Sequence, residues 1–598
     1  MSFLSYESHS IYIKYTGDKP QSYYKWKRGG VVRKKWVTYD KSYAGLEEIM
    51  TGFGVSELLA RALINRNIDT AEKAEVFLRP DMSKLHSPDL LAGMGAAVER
   101  ILAAIEQKQK MCIYGDYDVD GITSTSICMT ILGKLGASVT YYIPKRLEEG
   151  YGISMEGVDK LKAQGIELII TVDCGIRSVD VVRYANELGI DVVITDHHEC
   201  GDELPPAVSI VNPHRPDCSY PFKELAGVGV AYKLMEALTE KMGCRQLMDE
   251  VVEIAAVGTI ADVVALKDEN RILVKHGLEA MSKTKNIGLA ALLDICGLKD
   301  KVLNAYNIAF MVAPRMNAAG RIANADLCVE LLLTGDKENA YEIAEKLDAE
   351  NRERQSIEGS ILKNALEIIE RDIDPDGDRI IVIDAEDWHV GVIGIVASRI
   401  VERFHLPTAL IARDGKTGKG SARSIAGFNL YEAMSKCGEL FEKFGGHELA
   451  AGFSISCDNI EAFKEKIKAI ACEMTGDKKP IPEILVDYRL SPKDITIKSA
   501  RELRLLEPFG SGNPSPMFVY RGLQLLTSKT VGSEGKHLSL LLYDGANEIS
   551  CIGYNLGEIN KSLKIGEKID IVCCVEINNW NNIERIQLNI KDIKKSKN

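Results

Sequence analysis

The chain has 598 residues, of which 45% are hydrophobic and 27% charged, and its formal net charge is −12. That balance excludes a disordered chain and a small disulfide scaffold, and it argues against a sequence-blind basic coat for duplex DNA. No uncharged apolar run reaches the roughly 18 residues of a membrane span, and the length allows roughly three to five domains.

The opening segment, Met1 to Ser10, lacks a basic stretch followed by an apolar one, so no secretory signal is expected. Residues 1–35 read as a polar extension rich in Tyr and Lys, either disordered or the product of a misassigned start. Arg28-Gly29-Gly30-Val31-Val32 fits a purine-rich ribosome-binding stretch ahead of a GTG codon, which places an expected start near Val31 or Val32. The 14 cysteines form no CxxC pair, so reduced cytoplasmic thiols are expected and a zinc site is not.

Residues 55–107 are rich in helix formers with spaced apolar positions. Short apolar runs then appear at 111–114, 139–143, 168–172, 192–195 and 208–211, separated in several places by helix-like segments. This alternation predicts an α/β fold with a parallel sheet. Residues 336–372 hold no Pro and one Gly, which predicts a single long connecting helix or two helices broken near Gly359. A second, smaller α/β unit starts at 379–383. Pro480 and Pro482 mark its end. The tail, 484–592, reads as strands at 484–488, 517–529, 537–543, 547–554, 566–577 and 584–590, which fits a small β-barrel.

The chemistry lies at strand ends. Gly115-Asp116-Tyr117-Asp118-Val119-Asp120-Gly121 follows one apolar run, and its three acids at alternate positions point the same way if extended. Such crowded carboxylates repel unless cations hold them. Asp173 follows the 168–172 run, and Asp196-His197-His198 follows 192–195. In an open α/β sheet that edge is where ligands bind. Asp262 is an acid inside a long apolar segment, where an unpaired charge is costly. Carboxylates with imidazole suit Mn²⁺ or Mg²⁺ better than Zn²⁺, and the number of donors suffices for two ions and for phosphodiester hydrolysis without a protein nucleophile.

In order and spacing these segments resemble the DHH phosphoesterase superfamily, over nearly the whole chain from about residue 36. The resemblance implies that Asp118, Asp120, Asp173, His197 and Asp262 are metal ligands. It makes Asp116 and His198 either ligands or the groups directly behind them, and Asp196 an orienter of the histidines. Asp118, Asp120, His197, His198 and Asp262 would carry catalysis. Arg315, Asn317 and Arg321, in Ala313 to Ile322, would touch substrate phosphates. The segments around His389, at 418–425 and at 444–455 resemble the DHHA1 domain, so His389, Ser421, Arg423, Ser424, Gly446 and His447 would hold the end of the strand. The tail resembles an OB-fold, with Phe518, Tyr520, Tyr543, Tyr554 and Trp580 as stacking candidates.

The implied domains are a leading region plus DHH catalytic domain at 36–335, a connecting helix at 336–372, a DHHA1 domain at 373–478 and an OB-fold at 479–598. The implied activity is 5′-to-3′ exonuclease action on single-stranded DNA, releasing 5′ mononucleotides with two Mn²⁺ or Mg²⁺ ions, in DNA repair and recombination. The implied setting is a monomer in the bacterial cytoplasm, with a single-strand-binding protein or a RecQ-type helicase as partner. Two other classes fit part of the pattern: a phosphatase for very short oligonucleotides, and a catalytically silent single-strand-binding subunit.

Overall fold

The structure, a computed structural model, describes residues 34–596 apart from 146–148, 151, 323, 375–376, 477–479 and 581–582. The extension at 1–33, with its expected start near Val31, lies outside the described residues. The chain divides into two compact units. One is residues 81–477 with 510–512; the other joins the described parts of 9–80, 478–509 and 513–598.

The first unit begins with a five-stranded parallel sheet: β1 (Lys110–Gly115), β2 (Ser138–Tyr142), β3 (Leu168–Val172), β4 (Asp191–Thr195) and β5 (Ser209–Val211). Helices α1 (Val119–Lys134), α2 (Met155–Ala163) and α3 (Val179–Glu187) make the first three crossovers. β3 is buried at all five positions, as expected where helices cover both faces of a parallel sheet. The spatial order is β2-β1-β3-β4-β5. The chain therefore steps outward from β1 to β2 and then returns past β1 to β3. Between β1 and β3 the winding reverses, and a crevice opens at the carboxyl ends of these strands. Helices α4 (Gly227–Lys241), α5 (Val252–Ala261) and α6 (Asp268–Met281) pack behind this edge, and α7 (Ala313–Ile322) follows after a π-helical turn at Ile308–Val312.

Helix α8 (Lys337–Asp372) runs unbroken for 36 residues, so no break occurs at Gly359. A Cβ at Gly359 would meet nothing within 4 Å; the glycine faces outward and costs about 1 kcal/mol of helix propensity without bending the helix. The buried stripe of α8 is apolar at both ends and polar between Asp348 and Glu358. Beyond it lies a smaller mixed sheet of β6 (Ile381–Glu386), β7 (Thr408–Asp414), β8 (Thr417–Arg423), β9 (Phe441–Gly446) and β10 (Ala450–Ser456), in the order β9-β10-β8-β7-β6. Helix α9 (Val390–Phe404) makes its parallel β6–β7 crossover.

In the second unit five strands close on themselves. Phe518–Val531 pairs with His537–Tyr543, which pairs with Glu548–Gly553; this pairs with Ile583–Lys595, then Lys568–Trp580, which returns to Phe518–Val531. Two expectations are corrected here. Residues 36–80, grouped with the catalytic domain from sequence, belong to the barrel unit instead. Leu58, Leu59 and Leu63 share one core with Phe518, Leu523 and Leu540, Asn65 and Arg66 both bond Asp487, and strand Lys35–Thr38 pairs with Glu483–Val486. Periodicity shows that such helices have an apolar face, but not which distant surface that face covers. Phe518 and Tyr520, offered as stacking residues, are buried in the barrel core, and Tyr520 donates to Asp544 Oδ2 at 2.6 Å. Tyr543 and Tyr554 are half-buried; the side chain of Trp580 lies outside the described residues.

All fourteen cysteines are unpaired thiols. Among the described residues, no helix is long and apolar enough to cross a membrane.

Candidate metal centre

Every acid and histidine singled out in the first half of the chain arrives at the crevice. Asp118 caps α1: its Oδ1 accepts from the Asp120 and Gly121 N–H groups at 3.0 and 3.2 Å, which fixes the carboxylate while satisfying two orphan donors of the helix. Asp120 is gripped differently. Its two oxygens accept from the Gly227 and Val228 N–H groups, both at 2.7 Å, so it sits on the positive end of α4. Gly227 has no alternative: a Cβ there would lie 2.6 Å from Asp173 Oδ1.

Asp173 takes the left-handed conformation, φ +59°, directly after β3. Asp262 ends α5, and the next residue, Val263, has φ +62°. A β-branched residue in that region is a strained outlier, of order 1–3 kcal/mol, of the kind that clusters at functional sites.

Asp196 holds the two histidines. Its Oδ1 accepts from the N–H of His197 at 2.7 Å, from the N–H of His198 at 3.0 Å and from His198 Nδ1 at 2.7 Å, and its Oδ2 accepts from the Ile176 N–H at 3.0 Å. Burial works against this charge, but the His198 charge and hydrogen bond, then His197, outweigh it and keep the carboxyl well below the usual range. An ionised Asp196 makes Nδ1 of His198 the donor. Asn212, fully buried, donates to the His198 carbonyl at 2.9 Å.

At the centre is His197. Its Nε2 is buried without a hydrogen-bond partner and lies 3.2 Å from Asp173 Oδ1, 3.7 Å from Asp262 Oδ2 and 3.8 Å from Asp120 Oδ2. Three overlapping sets of donor atoms each fall within 4.8 Å: Asp173, His197 and His198; Asp120, His197 and Asp262; Asp116, Asp118 and Asp173. The carboxyls disturb one another. Burial and then its acidic neighbours raise Asp173 well above the usual carboxylate range. Burial does the same to Asp262, with His197 opposing. Asp120 is pushed up to about 6, by burial and Asp118 against the pull of His197 and the α4 N–H groups. Carboxylates that resist ionisation together need positive charge among them. A hard divalent cation taking oxygen and one or two imidazole donors fits this set.

The residues offered as substrate ligands fare unevenly. Arg315 is occupied internally: Nε and Nη2 reach Asp348 of α8 at 2.9 and 2.8 Å, and Nη1 donates to the Met311 carbonyl. It reads as a tie between α7 and α8, because an ion pair inside the fold already uses the face of the fork that phosphate would need. Asn317 is half-buried on the same helix. Arg321 Nη1 donates to the Gly391 carbonyl at 3.0 Å, joining α7 to the start of α9. His389 is the N-cap of α9, its Nδ1 accepting from the Gly391 N–H at 3.1 Å. On β8, Arg423 Nη1 donates to Ser421 Oγ at 3.1 Å and to the Ala422 carbonyl at 2.8 Å. Ser424 Oγ donates to the Phe428 carbonyl at 2.8 Å.

Gly446 and His447 form the turn from β9 to β10. A Cβ on Gly446 would fall 2.3 Å from the Ala450 carbonyl oxygen, and the His447 N–H donates to that same oxygen at 2.7 Å. Burial, then the charges of Arg177 and His198, hold His447 below its ordinary range. Sequence reasoning missed four contributors. The N–H groups of Gly227 and Val228 carry no side-chain signal. Asn212 and Arg177 are single polar residues, and only their proximity in space to the Asp-His-His turn marks them out.

Family models match three stretches: the N-terminal domain of the DHH family at residues 110–259, the DHHA1 domain at 377–473 and the RecJ OB domain at 486–592. The single-stranded-DNA-specific exonuclease RecJ of Bacillus subtilis (strain 168) is 42% identical over 563 residues, which are 94% of this chain and 71% of that protein. The chain belongs to the RecJ family. The Escherichia coli (strain K12) RecJ is 37% identical over 81% of this chain and 86% of its own length. Two solved RecJ structures from Thermus thermophilus cover 95% of this chain: the Mn²⁺ complex, with TM-score 0.82, 32% identity and 80% of that chain covered, and the Mg²⁺ complex, with TM-score 0.76, 30% identity and 79% covered. RecJ proteins of this architecture therefore hold the ions that the donor set here fits.

Proposed function

We propose that this chain is a metal-dependent exonuclease that degrades single-stranded DNA from its 5′ end to mononucleotides, with Asp116, Asp118, Asp120, Asp173, His197 and Asp262 holding two divalent cations. One observation carries the reading: His197 Nε2, buried and unbonded, faces carboxylates delivered by three separate elements at the switch point of the sheet. The names of the RecJ relatives supply the substrate class. Cations bound there lower the pKa of water and offset the charge of the leaving oxygen.

The protein's own groups do the rest. Asp196 and Asn212 fix the ring and the main chain of His198. The α4 N–H groups fix Asp120. Arg423 and Ser421 present donors to the phosphates at the strand's end, and the turn at Gly446 brings backbone close to them. The resulting enzyme serves DNA repair and recombination in the bacterial cytoplasm, where unpaired cysteines remain reduced. A single-strand-binding protein or a RecQ-type helicase delivers the strand, which co-purification with a tagged chain would test.

The deciding experiment uses a long single strand labelled at either end, and a matching blunt duplex, in Mn²⁺, Mg²⁺ or EDTA. Labelled mononucleotide should appear at once from the 5′-labelled strand and not from the duplex or in EDTA. Cleavage confined to two- to five-nucleotide substrates would instead identify a short-oligonucleotide phosphatase.

A further inference from the structure

Beside the Asp196-His197-His198 turn stands a positive charge, that of Arg177, which the proposed mechanism does not yet use. Arg177 is exposed on the loop between Asp173 and α3. This loop is part of the centre's own scaffold, since the neighbouring Ile176 N–H donates to Asp196 Oδ2 at 3.0 Å.

The Arg177 side chain is tethered rather than loose. Its Nε donates to the carbonyl of Glu199, the residue after His198, at 2.9 Å. Its Nη1 and Nη2 have no partner among the described residues. The Glu199 carboxylate is engaged elsewhere, by His214 Nδ1 at 3.0 Å. A guanidinium held by Nε presents its two Nη groups as a fork, the geometry that matches two oxygens of a phosphate.

We infer that Arg177 is a substrate-phosphate ligand of the catalytic lobe, gripping the strand where it passes the Asp196-His197-His198 turn. The inference rests on the exonuclease reading above and adds a residue to it. The grip is equal in ground and transition states, so it acts on KM rather than kcat. One lost charge-assisted contact corresponds to roughly a tenfold change. It also has a signature that a purely structural arginine lacks. Each phosphate contact to a single strand contributes about 0.7 to the slope of log affinity against log salt.

The test is steady-state hydrolysis of a long single strand in Mn²⁺ across a salt series, for wild type, Arg177→Gln and Arg177→Lys. For Arg177→Gln we expect KM to rise roughly tenfold, kcat to stay within about twofold, and the salt slope to fall by about 0.7. Arg177→Lys, which keeps the charge and loses the fork, should show an intermediate KM with the wild-type slope. It also serves as the comparison should the Gln variant fold poorly. Unchanged KM and slope in Arg177→Gln, or a loss confined to kcat, overturns the inference alone. Failure of the wild type to degrade any single strand overturns both this inference and the exonuclease reading.

Discussion

The two lobes of the first unit solve the same problem, displaying polar groups in a crevice, in opposite ways. In the first lobe the functional groups face one another. Burial, and then neighbouring carboxylates, raise Asp120, Asp173 and Asp262, and His197 Nε2 is left without a hydrogen bond. In the second lobe the corresponding groups are already satisfied by near neighbours, as in Arg423 with Ser421 and the Ala422 carbonyl, or Ser424 with the Phe428 carbonyl. A site that is electrostatically incomplete without a ligand requires that ligand. A site that is internally satisfied only exchanges partners when substrate arrives. Substitutions among the facing carboxylates of the first lobe should therefore abolish chemistry, and those in the second lobe should weaken binding.

The largest effect is expected from Asp118→Asn or Asp262→Asn, which should lower hydrolysis by on the order of 10³-fold or more while single-strand binding persists; single-turnover kinetics and fluorescence anisotropy separate the two. Near-normal turnover would remove that residue from the metal set. Asp196→Asn leaves every proposed ligand in place but releases the His198 ring, so Mn²⁺ affinity should fall about 10- to 100-fold. Titration of the apoprotein with Mn²⁺ reads this directly. On the second-lobe side, Arg423→Ala should raise KM roughly tenfold with kcat nearly preserved, and a pure kcat loss would erase the distinction between the lobes.

The smallest effect is one of pH on the metal-free protein. The Asp120 carboxyl is raised from 3.8 to about 6 in the fold. Between those values the folded state holds protons that the unfolded chain has released, so stability falls as the pH rises through the window. The melting temperature in EDTA should accordingly drop from pH 4.5 to pH 6.5 relative to an Asp120→Asn variant, and Mn²⁺ should restore it most strongly at the upper end.

Much of this contrast is legible in the sequence, for a physical reason. Metal ligands must be acids or imidazoles, and a parallel sheet must deliver them at its carboxyl edge, so GDYDVDG, Asp173 and Asp196-His197-His198 stand out from residue type and position. Asp262 stands out because a carboxylate in an apolar run demands a partner. The strand boundaries of the barrel also follow from alternation. What stays hidden is pairing over distance. Nothing near Arg315 says that Asp348, 33 residues on, takes its guanidinium. Nothing near Leu58 says that its helix covers a barrel formed more than 400 residues later. The grip of α4 on Asp120 uses backbone alone and leaves no trace in residue identity.

The most direct test of the central claim is to count Mn²⁺ bound per chain, by equilibrium dialysis of the full-length protein with Asp173→Ala as the control. Two ions per wild-type chain, with sharply fewer in the variant because Asp173 belongs to two of the three donor sets, is the result this account predicts. Equal binding by the two proteins, or no binding by the wild type at concentrations that support hydrolysis, would contradict it.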